Sequence, residues 1–253
     1  MPGLPIQVCG PMNMASIKNF DYPIPKPWIA QQLRERPNPV ILEIGCNDGK
    51  DTLEFMEQLP RIHLHAFEPD PRPRRRFEKS LGAPLPDTLG PHHQVLHNPR
   101  MSTTLWFYPV AIGERDGDVP FFQSNGNIPG AHVVDWDLSG SIREPTGHLK
   151  RDKQVKFERM ITVPCWRLDT WMSCVNYPII DFIWMDVQGA EGDVIRGGPE
   201  TLKRTRMIYT EFYNVPQYEG QPNLQQILDL LGPTWKLVST FEGYNALIAN
   251  AAQ

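Results

Sequence analysis

The stretch Pro39-Val-Ile-Leu-Glu-Ile-Gly-Cys-Asn-Asp-Gly-Lys50 constrains this chain more than any other. Val40, Ile41, Leu42 and Ile44 form an apolar run with no polar alternation, the signature of a strand buried on both faces. Gly45 and Gly49 bracket the turn that follows, where backbone without a Cβ can approach a ligand closely. Asp48 is placed to cap a helix beginning near Asp51. Residues 62–67 supply a second strand, and Glu68 stands at its carboxyl end. A carboxylate there can accept hydrogen bonds from two vicinal ribose hydroxyls, as it does in dinucleotide folds. The bland alternative is an ordinary α/β turn with a solvated acid.

The spacing selects among nucleotides. A dinucleotide site wants G-x-G-x-x-G, and a P-loop wants Lys followed by Ser or Thr. The chain has Glu43-x-Gly45-x-x-x-Gly49, with Asn47 and Asp48 inside the turn and Asp51 after Lys50. Acids at Glu43, Asp48 and Glu68 repel phosphate and suit a cationic ligand. S-adenosylmethionine carries a sulfonium, an ammonium and no phosphate, so it is the expected cofactor.

The 253 residues fit one α/β domain, drawn over 37–253 behind a proline-rich extension over 1–36 with a short helix near 28–34. A second proline cluster, 84–99, reads as a loop. A net charge of −4 argues against a general nucleic-acid binder. The basic run 72–76 reads as the solvated first turns of a helix, with a phosphate-contacting patch as the alternative. Cys9, Cys46, Cys165 and Cys174 show no C-x-x-C pair or metal spacing, and a disulfide at Cys46 would obstruct the turn. A reducing, cytoplasmic setting is therefore expected. No apolar run approaches the roughly 20 residues of a membrane span, and the N-terminus lacks a secretory signal pattern.

Strand and helix patterns keep alternating, which predicts a doubly wound sheet. Residues 105–112 read as a third strand. Residues 119–123 read as its hairpin partner through Asp116-Gly117. The polar segment 126–147 is a long loop of the kind that is usually functional or mobile. Extended runs follow at 157–164, 179–187 and 207–212. A helix is expected over 224–231, and a terminal hairpin turns at Glu242-Gly243.

Arg167-Leu-Asp-Thr-Trp171, Met185-Asp-Val-Gln-Gly-Ala-Glu191, Gly197-Gly198 and Ile208-Tyr-Thr-Glu211 together resemble the FkbM family of S-adenosylmethionine-dependent methyltransferases. The first half agrees through Ile44-Gly-Cys-Asn-Asp-Gly49, Phe67-Glu-Pro69 and Val110-Ala-Ile-Gly113. The resemblance covers roughly residues 38–248 and implies a class I methyltransferase, a Rossmann-like α/β fold. Its sheet would have seven mostly parallel strands and an antiparallel C-terminal hairpin. It adds Asn47, Pro69 and Ala111 to a cofactor set of Glu43, Gly45, Asp48, Gly49 and Glu68. The shared motifs carry reaction class and not the acceptor.

Methyl transfer to an alcohol needs the acceptor aligned and its proton removed, by a base or with a metal. Asp186 and Glu211 are expected at strand carboxyl ends, where α/β sheets bind ligands. Asp186, Glu191 and Glu211 could hold a divalent cation such as magnesium, or one could act as base. Alternatively, Asp186 and Glu191 only organise the turn and cap a helix. His132, in the long loop, is a further base candidate, and equally a surface histidine. Trp136, Tyr213 and Tyr218 could line an acceptor pocket or simply pack. The expected activity is O-methylation of a hydroxyl on a glycan, glycolipid or secondary metabolite. N-methylation of a small molecule or nucleic acid, and a cofactor-binding module without catalysis, are the alternatives.

Overall fold

The structure is a computed structural model that describes residues 26–88, 94–98, 102–128, 135–151 and 153–253. Helix α1 (Lys26–Arg34) precedes β1 (Val40–Ile44), α2 (Lys50–Gln58), β2 (His63–Phe67) and α3 (Pro71–Leu81). Strands β3 (Gln94–Asn98), β4 (Thr103–Tyr108), β5 (Ala111–Gly113) and β6 (Gly117–Asn125) follow. Then come α4 (His148–Arg151), β7 (Lys156–Arg167), α5 (Leu168–Val175), β8 (Phe182–Met185), α6 (Glu191–Gly197) and α7 (Pro199–Lys203). The chain closes with β9 (Met207–Glu211), α8 (Leu224–Leu231), β10 (Trp235–Phe241) and β11 (Asn245–Asn250).

The main sheet has the order β10-β11-β9-β8-β1-β2-β4-β3. The five strands from β9 to β4 are parallel neighbours. Strand β11 runs against β9, and β10 runs against β11. Strand β3 runs against β4 at the other edge. The expected seven strands are thus corrected to eight in a mixed sheet. The extra edge strand lies inside the 84–99 segment read as a loop, where prolines mask a short pairing run.

Alternation along β1 shows why this strand is apolar at four of its five positions, Glu43 being the exception. Ile41 joins the core beneath α1, α2 and α3, with Trp28, Leu33, Phe55 and Phe77. Val40, Leu42 and Ile44 join the opposite core, with Trp171, Ile195 and Ile227. Period-two side chains buried on both faces require helices on both faces. Helix α1, assigned by sequence to the extension, therefore packs Trp28, Ile29 and Leu33 into the domain core.

The hairpin read at Asp116-Gly117 is also corrected. Strands β5 and β6 do not pair; both pair with β7 in a second sheet, β5-β7-β6. Asp116 instead accepts from the Arg167 N–H at 2.8 Å and from the Thr170 hydroxyl at 2.8 Å, holding the start of α5. Cys46, Cys165 and Cys174 are free thiols. No described helix is long and apolar enough to cross a membrane.

Candidate active site

The carboxyl ends of β1, β2 and β8 open into a cleft of about 820 Å³, open solvent at its mouth included. Its far wall is the segment 137–142 from the long loop. Gly45, Asn47, Glu68, Pro69, Ala111 and Asp186, all predicted from sequence, line it. Glu43, Asp48 and Gly49 do not. Glu43 is buried behind the turn, where its carboxylate accepts the Thr52 hydroxyl. Asp48 faces Arg76, with Oδ2 at 3.6 Å from Nε. Helix α2 begins at Lys50 with Gly49 as its N-cap, and Asp48, one residue before the cap, accepts the Lys50 N–H through Oδ1 at 3.4 Å.

The two glycines are required by the protein itself rather than by space for a ligand. Gly45 has φ 87°, and a Cβ there would meet the Asp186 carbonyl oxygen at 1.9 Å. Gly49 has φ 72°, and its Cβ would strike the Phe77 ring at 2.2 Å. Both sit in the left-handed region that side chains rarely adopt.

Glu68 is fixed at both oxygens. Oε2 accepts the Asn47 N–H at 2.9 Å and Oε1 accepts the Asp70 N–H at 2.7 Å. Each oxygen keeps a second acceptor position, enough for a vicinal diol. Burial pushes the Glu68 carboxyl up to about 8, aided by the Asp70 charge and opposed by the two N–H donors.

The run 72–76 does structural work at this cleft, which corrects its reading as solvated. Arg76 clamps Asp137 through Nη1–Oδ2 at 2.7 Å and Nη2–Oδ1 at 2.8 Å. Asn47 joins them, its amide donating to the Asp137 carbonyl at 3.1 Å. Arg72 is paired with Asp70 at 2.6 Å and donates to the Ser124 carbonyl at 2.8 Å. Arg74 donates to the Pro86 carbonyl. Asp137 and its neighbours were not predicted individually; the length and polarity of 126–147 were the only signals.

On the opposite wall, Gln188 is the hub. It has φ 50°, unusual for a residue with a side chain. Its Nε2 donates to Asp186 Oδ1 at 2.6 Å and to Glu211 Oε2 at 3.3 Å. Its Oε1 lies 3.1 Å from the Tyr218 hydroxyl, which is also 2.8 Å from the Ser139 carbonyl. Sequence reading passed over Gln188 because an amide between two named acids carries no charge of its own. Burial raises Asp186 to about 6. It holds Glu211 well above the ordinary carboxylate range, reinforced by the charges of Asp186 and Glu191. Glu191 is fully buried and pushed up to about 7; Oε1 accepts the Gly189 N–H at 3.2 Å, while Oε2 has no partner.

Among the described residues no group of three or more His, Cys, Asp or Glu side chains could hold a metal ion. The magnesium site expected of Asp186, Glu191 and Glu211 is therefore not supported. The Gln188 amide donates into the space between two of those acids, and Glu191 turns to the backbone of its own turn. His132 lies outside the described residues. Trp136 is half-buried and donates from Nε1 to the Ser139 hydroxyl at 2.9 Å, bracing the loop.

The cleft suits the expected cofactor. The described lining holds acids at Glu68, Asp70, Asp137 and Asp186 and no lysine or arginine. Phe67, Val110, Leu138 and Ile142 supply apolar walls for a base.

Residues 43–244 match the family described as the methyltransferase FkbM domain. The chain is 46% identical over 209 residues to a Sinorhizobium fredii protein named 2-O-methyltransferase NoeI, covering 83% of this chain and 77% of that protein. It is 28% identical over 197 residues to the AMB antimetabolite synthetase AmbE of Pseudomonas aeruginosa, covering 70% of this chain but 8% of that protein. Among solved structures, Aeropyrum pernix fibrillarin with S-adenosyl-L-methionine aligns at a TM-score of 0.40 and 10% identity, covering 89% of this chain and 74% of that one.

Proposed function

The chain belongs to the FkbM family of methyltransferases, and from that membership we propose that it methylates a hydroxyl of a glycan, glycolipid or secondary metabolite. The relative named as a 2-O-methyltransferase favours oxygen over nitrogen as the methylated atom. The single observation that carries the reading is the cleft itself. The Glu68 carboxyl, held by two backbone N–H groups, stands on one wall and a pair of acids sharing an amide on the other, with no lysine or arginine in the described lining.

Bound in this cleft, S-adenosylmethionine would supply an electrophilic methyl group on sulfur. Glu68 would accept the ribose hydroxyls, and the Gly45–Asn47 turn with the 137–142 wall would enclose the nucleoside. Asp186 is the proposed base. The Gln188 amide holds Oδ1, which orients the carboxyl to accept the acceptor's proton. A carboxyl raised to about 6 is ionised near neutral pH yet more basic than a solvated one. Glu211, held protonated, would keep the shared amide oriented and limit charge repulsion beside Asp186. Residues 37–253 form the proposed catalytic domain, buttressed by α1.

Two measurements test the proposal. Hydroxylated acceptors incubated with enzyme and S-adenosylmethionine should gain the mass of one methyl group, located on oxygen by fragmentation; gain on nitrogen alone would transfer the reading to N-methylation. Glu68→Ala should weaken S-adenosylmethionine binding by about 1–3 kcal/mol, the cost of leaving the ribose hydroxyls without a buried partner. Unchanged affinity by calorimetry would remove Glu68 from the cofactor site.

A further inference from the structure

A second concavity is lined by Gly147, Lys150, Arg151, Tyr213, Val215, Gln217 and Tyr244 among others. Its chemistry is the reverse of the cofactor cleft. Lys150 and Arg151 bring two exposed cations, and neither forms an ion pair with a described carboxylate. The rings of Tyr213 and Tyr244 are parallel to within 2°, with centroids 6.1 Å apart, so the pair is held in one orientation. Arg151 sits 5.0 Å from the Tyr213 centroid. Val215, 72% exposed, adds an apolar lip.

The groove is built firmly and joined to the reacting acids. Gly147 and His148 donate backbone N–H groups to the Gln217 carbonyl at 2.8 and 2.9 Å, tying α4 to the far side. Tyr213 follows Glu211 by two residues, and Glu211 reaches the cofactor cleft through Gln188. An exposed aromatic face takes up the C–H face of a sugar ring, and guanidinium and ammonium groups without a described carboxylate partner seek an anion.

We infer that this groove is the acceptor subsite and takes an acidic saccharide, the sugar ring packing against Tyr244, which stacks on Tyr213, and its carboxylate, sulfate or phosphate meeting Arg151 and Lys150. The inference rests on the methyltransferase reading for the direction of the acceptor hydroxyl, and adds the acceptor's charge and the surface that selects it.

The test is binding of the full chain, without S-adenosylmethionine, to a glycan array. The array carries neutral oligosaccharides beside uronate-, sialate-, sulfate- and phosphate-bearing ones. Retention should concentrate on one acidic class and fall with added salt. Arg151→Ala with Lys150→Ala should lower it at least about tenfold, the scale of a lost charge-assisted contact. Tyr244→Ala should weaken retention similarly and Tyr244→Phe should keep it. Calorimetric affinity for S-adenosylmethionine should be equal in all these variants, which excludes a general folding defect. Equal retention of neutral glycans, no retention on any acidic class, or indifference to both the charge and ring variants would overturn the subsite. Because the array omits the cofactor, its failure stands apart from failure of the methyl-gain screen.

Discussion

Asp186 and Glu211 are two carboxyl groups with one amide between them. Burial raises both, and the shared Gln188 amide lets them differ in charge. If Asp186 is the base, wild-type turnover should rise with pH through about 6, as the carboxyl loses its proton. Asp186→Asn should abolish that limb and lower turnover at least about 10²-fold. S-adenosylmethionine affinity should change little, since Glu68 and the glycine turn are untouched. Steady-state rates across pH 5–8, with calorimetry at pH 7, check all three. Full activity in the variant would remove Asp186 from the mechanism, and parallel loss of activity and melting temperature would assign it a structural role. Near Gln188, Gly189 has φ 93° and lies where a Cβ would meet Tyr218 at 2.6 Å, so the turn carrying the hub is closed against side chains.

At the scale of elements, α3 is a clamp as well as a core helix. Its buried face sends Phe77 beneath β1 and β4, while Arg72 and Arg76 leave the exposed side to hold Asp70 and the 137–142 wall. Asp137 is buried, so its partner matters. Removing one member of a buried pair leaves an uncompensated charge and costs about 3–5 kcal/mol in documented cases. Part of that cost is relieved here by letting the loop move away, because Arg76 itself is about one-third exposed. Arg76→Ala should therefore speed amide hydrogen exchange in 135–143 while leaving β1 and β8 protected. It should also raise the Kd for S-adenosylmethionine about tenfold, the equivalent of about 1.4 kcal/mol. Unaltered exchange in that segment would show that the wall is held by its backbone bonds to β6, Phe122 with Ser141, rather than by α3.

At the scale of the whole molecule, buried titratable groups tie stability to pH. Glu68 and Glu191 have folded values raised to about 8 and about 7, so each favours folding while protonated and opposes it once ionised. Their contribution is complete below about 4.5 and is lost as pH rises through the folded values. His65 runs the other way. It is buried between Tyr108 and Tyr177, 3.0 and 3.2 Å from their hydroxyls, and burial pushes it well below 6.5. Its contribution is complete above about 6.5 and fades as pH falls below that value. Of these groups only the carboxyls titrate between pH 6.5 and 8, so the urea midpoint should fall across this window, and Glu68→Gln should flatten the fall. A midpoint that rises from pH 6.5 to 8 would contradict the assignment.

The sequence by itself determined the strand–turn–helix unit, the Glu68 position, the parallel centre of the sheet and the reaction class, because these rest on local periodicity and contiguous motifs. Only the tertiary structure decided that β3 adds an edge strand, that β5 and β6 meet across β7, and that Arg76 is spent on Asp137. It also separated Glu43 and Gly49 from the cleft and put Gln188 between the acids. Pairing between distant segments is fixed by which faces must be buried together and which polar groups must find partners once buried. Neither is written in the spacing of residues along the chain.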